Sequence, residues 1–90
     1  MSESAEARLK RLHMRSMRRG IKEMDLILSA FATAHLADLS AEDIALYDRL
    51  LSENDHDLYC WIGGQFSVPG QYAGLIGRIA AQAQGVAQPD

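Results

Sequence analysis

The chain has 90 residues, 48% hydrophobic and 23% charged, with a net charge of −3, two prolines and a single cysteine. A chain this short makes one small domain that buries about 60–65% of its unfolded surface, with no room for a separate catalytic domain. The composition excludes a collagen-like repeat, a mucin-like stalk and a disordered chain, the lone Cys60 excludes an internal disulfide, and no apolar run nears the ~18 residues of a membrane span.

The spacing of apolar residues is helical from end to end. Residues 3–18 hold no Gly or Pro and set Ala5, Leu9, Leu12 and Ser16 on one stripe, extended by His13 and Met17. Gly20, tolerant of left-handed backbone angles, is expected to close this first helix. A second helix is predicted over residues 21–37, with Met24, Ile27, Leu28, Phe31 and Ala34 or His35 inward. Ser40 then opens Ser-Ala-Glu-Asp, an N-cap with an acid three residues on, and starts a third helix that buries Ile44, Tyr47, Leu50 and Leu51. Asp55 is read as the cap of a short fourth helix, which turns Leu58, Trp61 and Ile62 inward and ends at Gly63-Gly64.

Residues 63–70 read as a loop, and a fifth helix over residues 71–84 directs Tyr72, Leu75, Ile76, Ile79, Ala80 and Ala83 to the core. The ends, about residues 1–4 and 85–90, are expected to fray. Without strand alternation the fold class is all-α: a compact five-helix bundle, one domain over residues 1–90.

Catalysis finds little support. Glu23 and Asp25 stand two apart and point to different helix faces. Cys60 beside Trp61 reads as an inert core thiol, and no nucleophile elbow is present. His13, His35 and His56 are widely spaced, and Asn54, Asp55 and Asp57 lack the glycine and closing glutamate of a calcium loop, so no metal is expected. Gly70, Gly74 and Gly77 follow no strand and form no nucleotide cradle. Inside a helix Gly74 and Gly77 each cost roughly 1 kcal/mol relative to Ala, a cost that close helix packing or an outside contact would offset.

Charge is lopsided. Residues 1–35 carry seven positive and four negative side chains, whereas residues 36–90 carry two positive and eight negative. A basic arm on an acidic body suits an anionic partner, and one reading is a small helix-turn-helix DNA-binding protein. Against it, the helix that would enter the groove is apolar from Ile27 to Phe31 and has only Lys22 as a cation.

The most informative stretch is Arg18-Arg19-Gly20-Ile21-Lys22-Glu23-Met24-Asp25. Two readings stay open. In one, Gly20 ends one helix and caps the next, Glu23 reaches back to the Gly20 amide, and Arg19 is solvated. In the other, Gly20 leaves backbone uncovered for a partner, Arg19 offers a planar fork to a carboxylate or phosphate, and Glu23 orients that fork or meets a cation.

Arg19-Gly20-x-x-Glu23, with Arg18 before it and Asp25 after it, resembles the RGxxE signature of the succinate dehydrogenase assembly factor family. Its bacterial members are FAD assembly factors and its eukaryotic members mitochondrial assembly factor 2 proteins. Leu26, Ile27, Leu28 and Phe31, then Leu39-Ser40, Arg49-Leu50-Leu51 and Asp55-x-Asp57-Leu58-x-x-Trp61-Ile62 extend the similarity over about Leu12 to Ala83. Ile62 stands where the family often has leucine, and residues 63–70 are unusually rich in glycine.

The resemblance implies a five-helix, non-catalytic helper. Its partner would be the flavoprotein subunit of succinate dehydrogenase or fumarate reductase, on which it promotes covalent attachment of FAD to a histidine. FAD is then the partner's cofactor, and none is tightly bound by this chain. By position, Arg19, Gly20 and Glu23 would be partner-binding, with Arg18 and Asp25 beside them. No nucleic acid and no membrane insertion are implied. The chain is expected to be a monomer when free, and to be cytoplasmic, or in the mitochondrial matrix as a mature imported form.

Overall fold

Three of the helices begin where a short polar side chain covers the free amides of the first turn. In the computed structural model, which describes residues 3–87 and gives backbone alone for 84–87, Ser4 Oγ accepts from the Ala7 amide ahead of α1 (Ala5–Arg15). Helix α2 (Lys22–His35) has Ile21 at its cap position and no capping side chain, but carries Glu23 and Asp25 in its first turn, where the helix dipole favours acids. Ser40 Oγ accepts from the Asp43 amide ahead of α3 (Ala41–Leu50), as its sequence predicts. Ahead of α4 (Asp55–Ile62) the cap is Asn54, whose Oδ1 accepts from the amides of His56 and Asp57. This corrects the expectation that Asp55 caps: extended backbone at Asn54 aims its side chain over the first turn, and the Asp55 carboxylate points elsewhere.

Helix α4 ends at Gly63-Gly64, and Gly64 takes the left-handed φ of 79° that a helix terminus uses. A 3₁₀ turn at Gly70–Tyr72 leads into α5 (Ala73–Ala87), which runs on through residues expected to fray. Glu3 and Ser4 are engaged too, with Arg11 and the Ala7 amide. Residues 1, 2 and 88–90 of the expected frayed ends lie outside the described residues. A second 3₁₀ turn, Leu36–Asp38, replaces the expected last turn of α2. All five helices are thus where the pattern placed them, within a few residues, and no strand occurs among the described residues.

Helix α2 is the hub, packed against α1, α4 and α5. Its Met24, Leu28 and Phe31 are fully buried with Leu12, Leu36, Tyr47, Leu50, Leu58 and Ile79. Each such side chain contributes roughly 1.5–3 kcal/mol by leaving water. The Phe31 ring lies 5.7 Å from Tyr47 and 5.2 Å from His35. Of Ala34 and His35 it is His35 that is half-buried, Ala34 being exposed and Ala32 buried, and Ala5 and Met17 lie outside the core that the stripe predicted for them. Trp61 and Ile62 sit half-buried at the core's edge, the indole 5.9 Å from the Tyr72 ring. Cys60 is buried as expected, its Sγ 3.7 Å from His56 Nδ1. Gly74 and Gly77 are exposed, with open space where a Cβ would stand, so close helix packing does not offset their cost.

Candidate functional site

Between α1 and α2 the chain turns sharply through residues 16–21, and each step of the turn is held by a specific bond. Ser16, fully buried, donates from Oγ to the Leu12 carbonyl at 2.8 Å. Its one hydroxyl proton is thereby used, so the 2.6 Å contact with the Tyr47 hydroxyl is one in which Tyr47 donates. Burial raises the Tyr47 pKa and keeps that donor protonated.

Helix α1 stops at Arg15, three residues short of the predicted end. The residue in the left-handed region is Arg18, with φ 55°, rather than Gly20. What holds Arg18 there is its amide, which donates to Asp25 Oδ2 at 3.0 Å from the first turn of α2. Asp25 Oδ1 in turn lies 3.3 Å from the Ser29 hydroxyl.

Arg19 folds back on the molecule. Its Nη1 donates to the Arg15 carbonyl at 2.9 Å, capping an otherwise unpaired group at the end of α1. Nε at 2.8 Å and Nη2 at 2.7 Å both meet Asp55 Oδ1. The other Asp55 oxygen, Oδ2, accepts from the Gly20 amide at 2.8 Å. One carboxylate at the start of α4 therefore grips two consecutive residues of the bend. A Cβ on Gly20 would stand 3.0 Å from that Oδ2, so the glycine is what lets the carboxylate come so close.

The outward face is different in character. Arg18, Gly20, Lys22 and Glu23 are exposed, and among the described residues no hydrogen bond or ion pair engages the side chains of Arg18, Lys22 or Glu23. The reading in which Glu23 reaches back to the Gly20 amide is therefore overturned, because Asp55 already occupies that amide. The solvated Arg19 of the same reading is overturned as well: its side chain is only 11% exposed. Met14 and Met17 extend this face as exposed apolar groups beside Arg18.

The basic arm is partly spent within the chain. Arg11 Nη1 and Nη2 meet the two oxygens of Asp48, each at 2.9 Å, and Arg15 Nη1 meets Oδ1 at 2.6 Å. These guanidinium groups, Arg11 first, hold the Asp48 carboxyl below the usual carboxylate range, and Arg11 itself is pushed higher. With Arg19 paired as well, the cations along α1 and the bend that have no ion-pair partner among the described residues are Arg8, Lys10, Arg18 and Lys22.

Arg18, Arg19, Gly20, Glu23 and Asp25, all singled out from the sequence, come together at this bend. Asp55, which organises it, stands in the sequence as a helix cap and as part of the Asp55-x-Asp57 stretch, with nothing there that ties it to the bend. The signal available was redundancy: Asn54 alone suffices to cap α4, leaving the neighbouring carboxylate for other use. The site presents ions and thioethers on a shallow surface, an arrangement suited to binding another macromolecule. Among the described residues no three His, Cys, Asp or Glu side chains gather as metal ligands.

Comparison with known proteins places residues 10–83 in the family described as "Flavinator of succinate dehydrogenase". Succinate dehydrogenase assembly factor 2-B, mitochondrial, of Drosophila mojavensis is 44% identical over 72 residues, covering 78% of this chain and 46% of that protein. Succinate dehydrogenase assembly factor 2-A, mitochondrial, of Drosophila yakuba is 40% identical over 98 residues, covering 99% of this chain and 60% of that protein. The Candida glabrata assembly factor 2 is 44% identical over 62 residues, covering 69% of this chain and 40% of that protein. The chain thus spans about half the length of the curated relatives it matches.

Proposed function

This chain belongs to the family of flavinators of succinate dehydrogenase, and from that premise we propose that it binds the flavoprotein subunit of that enzyme, or of fumarate reductase, and promotes covalent attachment of FAD there. The bond-forming chemistry is left to the flavoprotein and its cofactor. This chain's part is to hold the subunit in the arrangement that aligns its histidine with the flavin. A binder shifts such an equilibrium only by the difference in its affinity for the states, so its surface must fit the aligned state better than the others. No FAD is tightly held by this chain in the proposal. It acts where the subunit receives its cofactor, in a bacterial cytoplasm or a mitochondrial matrix.

The observation that carries the reading is the exposed RGxxE bend inside the matched region, with Gly20 and Glu23 open to solvent and Arg18 beside them. The contact surface proposed is Arg18, Gly20 and Glu23 on the outside, backed by Arg19 and Asp25. An acidic group on the flavoprotein would meet Arg18 and Lys22, and a cation would meet Glu23. The DNA-binding alternative loses its footing because α2, its candidate reading helix, is the packed centre of the bundle.

The test is to incubate a matching apo-flavoprotein subunit with FAD, with and without this chain, and read covalent flavin by in-gel fluorescence. The chain should raise the signal. Glu23→Ala and Gly20→Leu should abolish the gain while the helical circular-dichroism signal is retained. An unchanged flavin signal with the native chain overturns the reading, and loss of helicity in both variants returns the bend to a purely structural part.

A further inference from the structure

We infer that Asp55 is the positioning residue of the bend: it holds the Gly20 backbone in place, and Arg19 serves partner binding through this carboxylate rather than by touching the partner. The inference rests on the bend being the partner-facing surface proposed above.

Three observations combine. Arg19 donates from Nε to Asp55 and from Nη1 to the Arg15 carbonyl, and its Nη2 lies 2.7 Å from Asp55, so the edge formed by Nε and Nη2 is already turned to a carboxylate within the chain. Its side chain is also largely covered. The Gly20 amide is occupied by Asp55 Oδ2, and the direction in which a side chain would grow from Gly20 points at that same oxygen. Even one added methyl therefore forces the carboxylate to give by a few tenths of an ångström, straining bonds to both bend residues.

The geometry also divides the motif's labour. Asp55 fixes residues 19 and 20 from α4, Asp25 fixes the amide of Arg18 from α2, and the outward side chains of Arg18, Lys22 and Glu23 have no hydrogen-bond or ion-pair partner among the described residues. A bend pinned at both ends presents those free ions in one geometry, which spares the complex the ordering cost of a mobile loop. The partner surface is then specified by the free groups. It carries an anion for Arg18 and Lys22, a cation for Glu23, and apolar side chains for the exposed thioethers of Met14 and Met17.

The experiment is a double-mutant cycle with a readout in the free chain. In the free ¹⁵N-labelled protein, Asp55→Ala should speed hydrogen exchange of the Gly20 amide on the order of tenfold, since a hydrogen bond to a charged group is broken. In binding to the flavoprotein subunit, Arg19→Ala and Asp55→Ala should each weaken the complex by roughly tenfold, and the double variant should be no weaker than either single one. Multiplying losses overturn the inference, because they mean that Arg19 contacts the partner independently. An unchanged Gly20 exchange rate overturns it as well.

Should the alanine variants unfold, Arg19→Gln and Asp55→Asn repeat the cycle with smaller perturbation. A native chain that fails to bind the flavoprotein removes the proposed function, whereas the Gly20 exchange arm decides on the Asp55 grip in either case.

Discussion

Arg18 holds φ at 55°, a region that costs a residue with a Cβ about 1 kcal/mol, and it does so because Asp25 draws its amide in. Replacing it separates conformation from contact. Arg18→Gly should stabilise the free chain by up to ~1 kcal/mol in urea denaturation, while weakening the complex with the flavoprotein through loss of the guanidinium. Arg18→Ala should weaken the complex without the gain in stability. The sequence pointed to Gly20 as the left-handed residue because glycine adopts that region at no steric cost. A side-chain acceptor seven residues away reassigns the role, and residue preference carries no trace of such a bond. The buried Tyr47–Ser16 pair supplies a second residue-level prediction. Tyr47→Phe should cost on the order of 1 kcal/mol, and Ser16→Ala somewhat more, since it strands the buried Tyr47 hydroxyl without its acceptor.

Among the elements, α4 is the one whose two opening residues divide the work. Asn54 covers the first-turn amides and Asp55 reaches across to the bend. Asn54→Ala should lower stability by about 1 kcal/mol with flavoprotein affinity preserved, and Asp55→Asn should do more harm to affinity than to the melting temperature. Helices α1 and α3 are clamped by Asp48 between Arg11 and Arg15. That carboxyl titrates lower in the folded chain than in the unfolded one. Its stabilising contribution is therefore complete above the ordinary carboxylate value of 3.8 and is lost as pH falls through the lower folded value. Stability measured against pH should thus fall below about pH 4, and Asp48→Asn should flatten that slope. Helix starts at Ser40 and ends at Gly63-Gly64 were legible because they depend on residues a few positions apart. The early end of α1 was not, since it depends on Arg19 capping the Arg15 carbonyl while gripping α4.

At the scale of the whole molecule, the charge asymmetry is legible in the sequence but its magnitude is not. Internal pairing of Arg11, Arg15 and Arg19 leaves a smaller cationic surface than the seven residues of the arm suggest. Association with the flavoprotein should slow by roughly tenfold between low and high ionic strength, and Lys22→Glu should slow it at fixed salt, measured by stopped flow. Arg11→Ala should leave the association rate nearly unchanged and lower stability instead.

The grip of Asp55 on Arg19 and Gly20 also bears on what can be lifted out of this protein. The acid that shapes the bend is contributed from 35 positions downstream of Gly20 and reaches it only once the bundle has assembled. A synthetic oligopeptide copying the RGxxE stretch would have the right letters without their scaffold, and should compete poorly with the intact protein. A mimic that does compete would need a tethered acid in place of the missing helix.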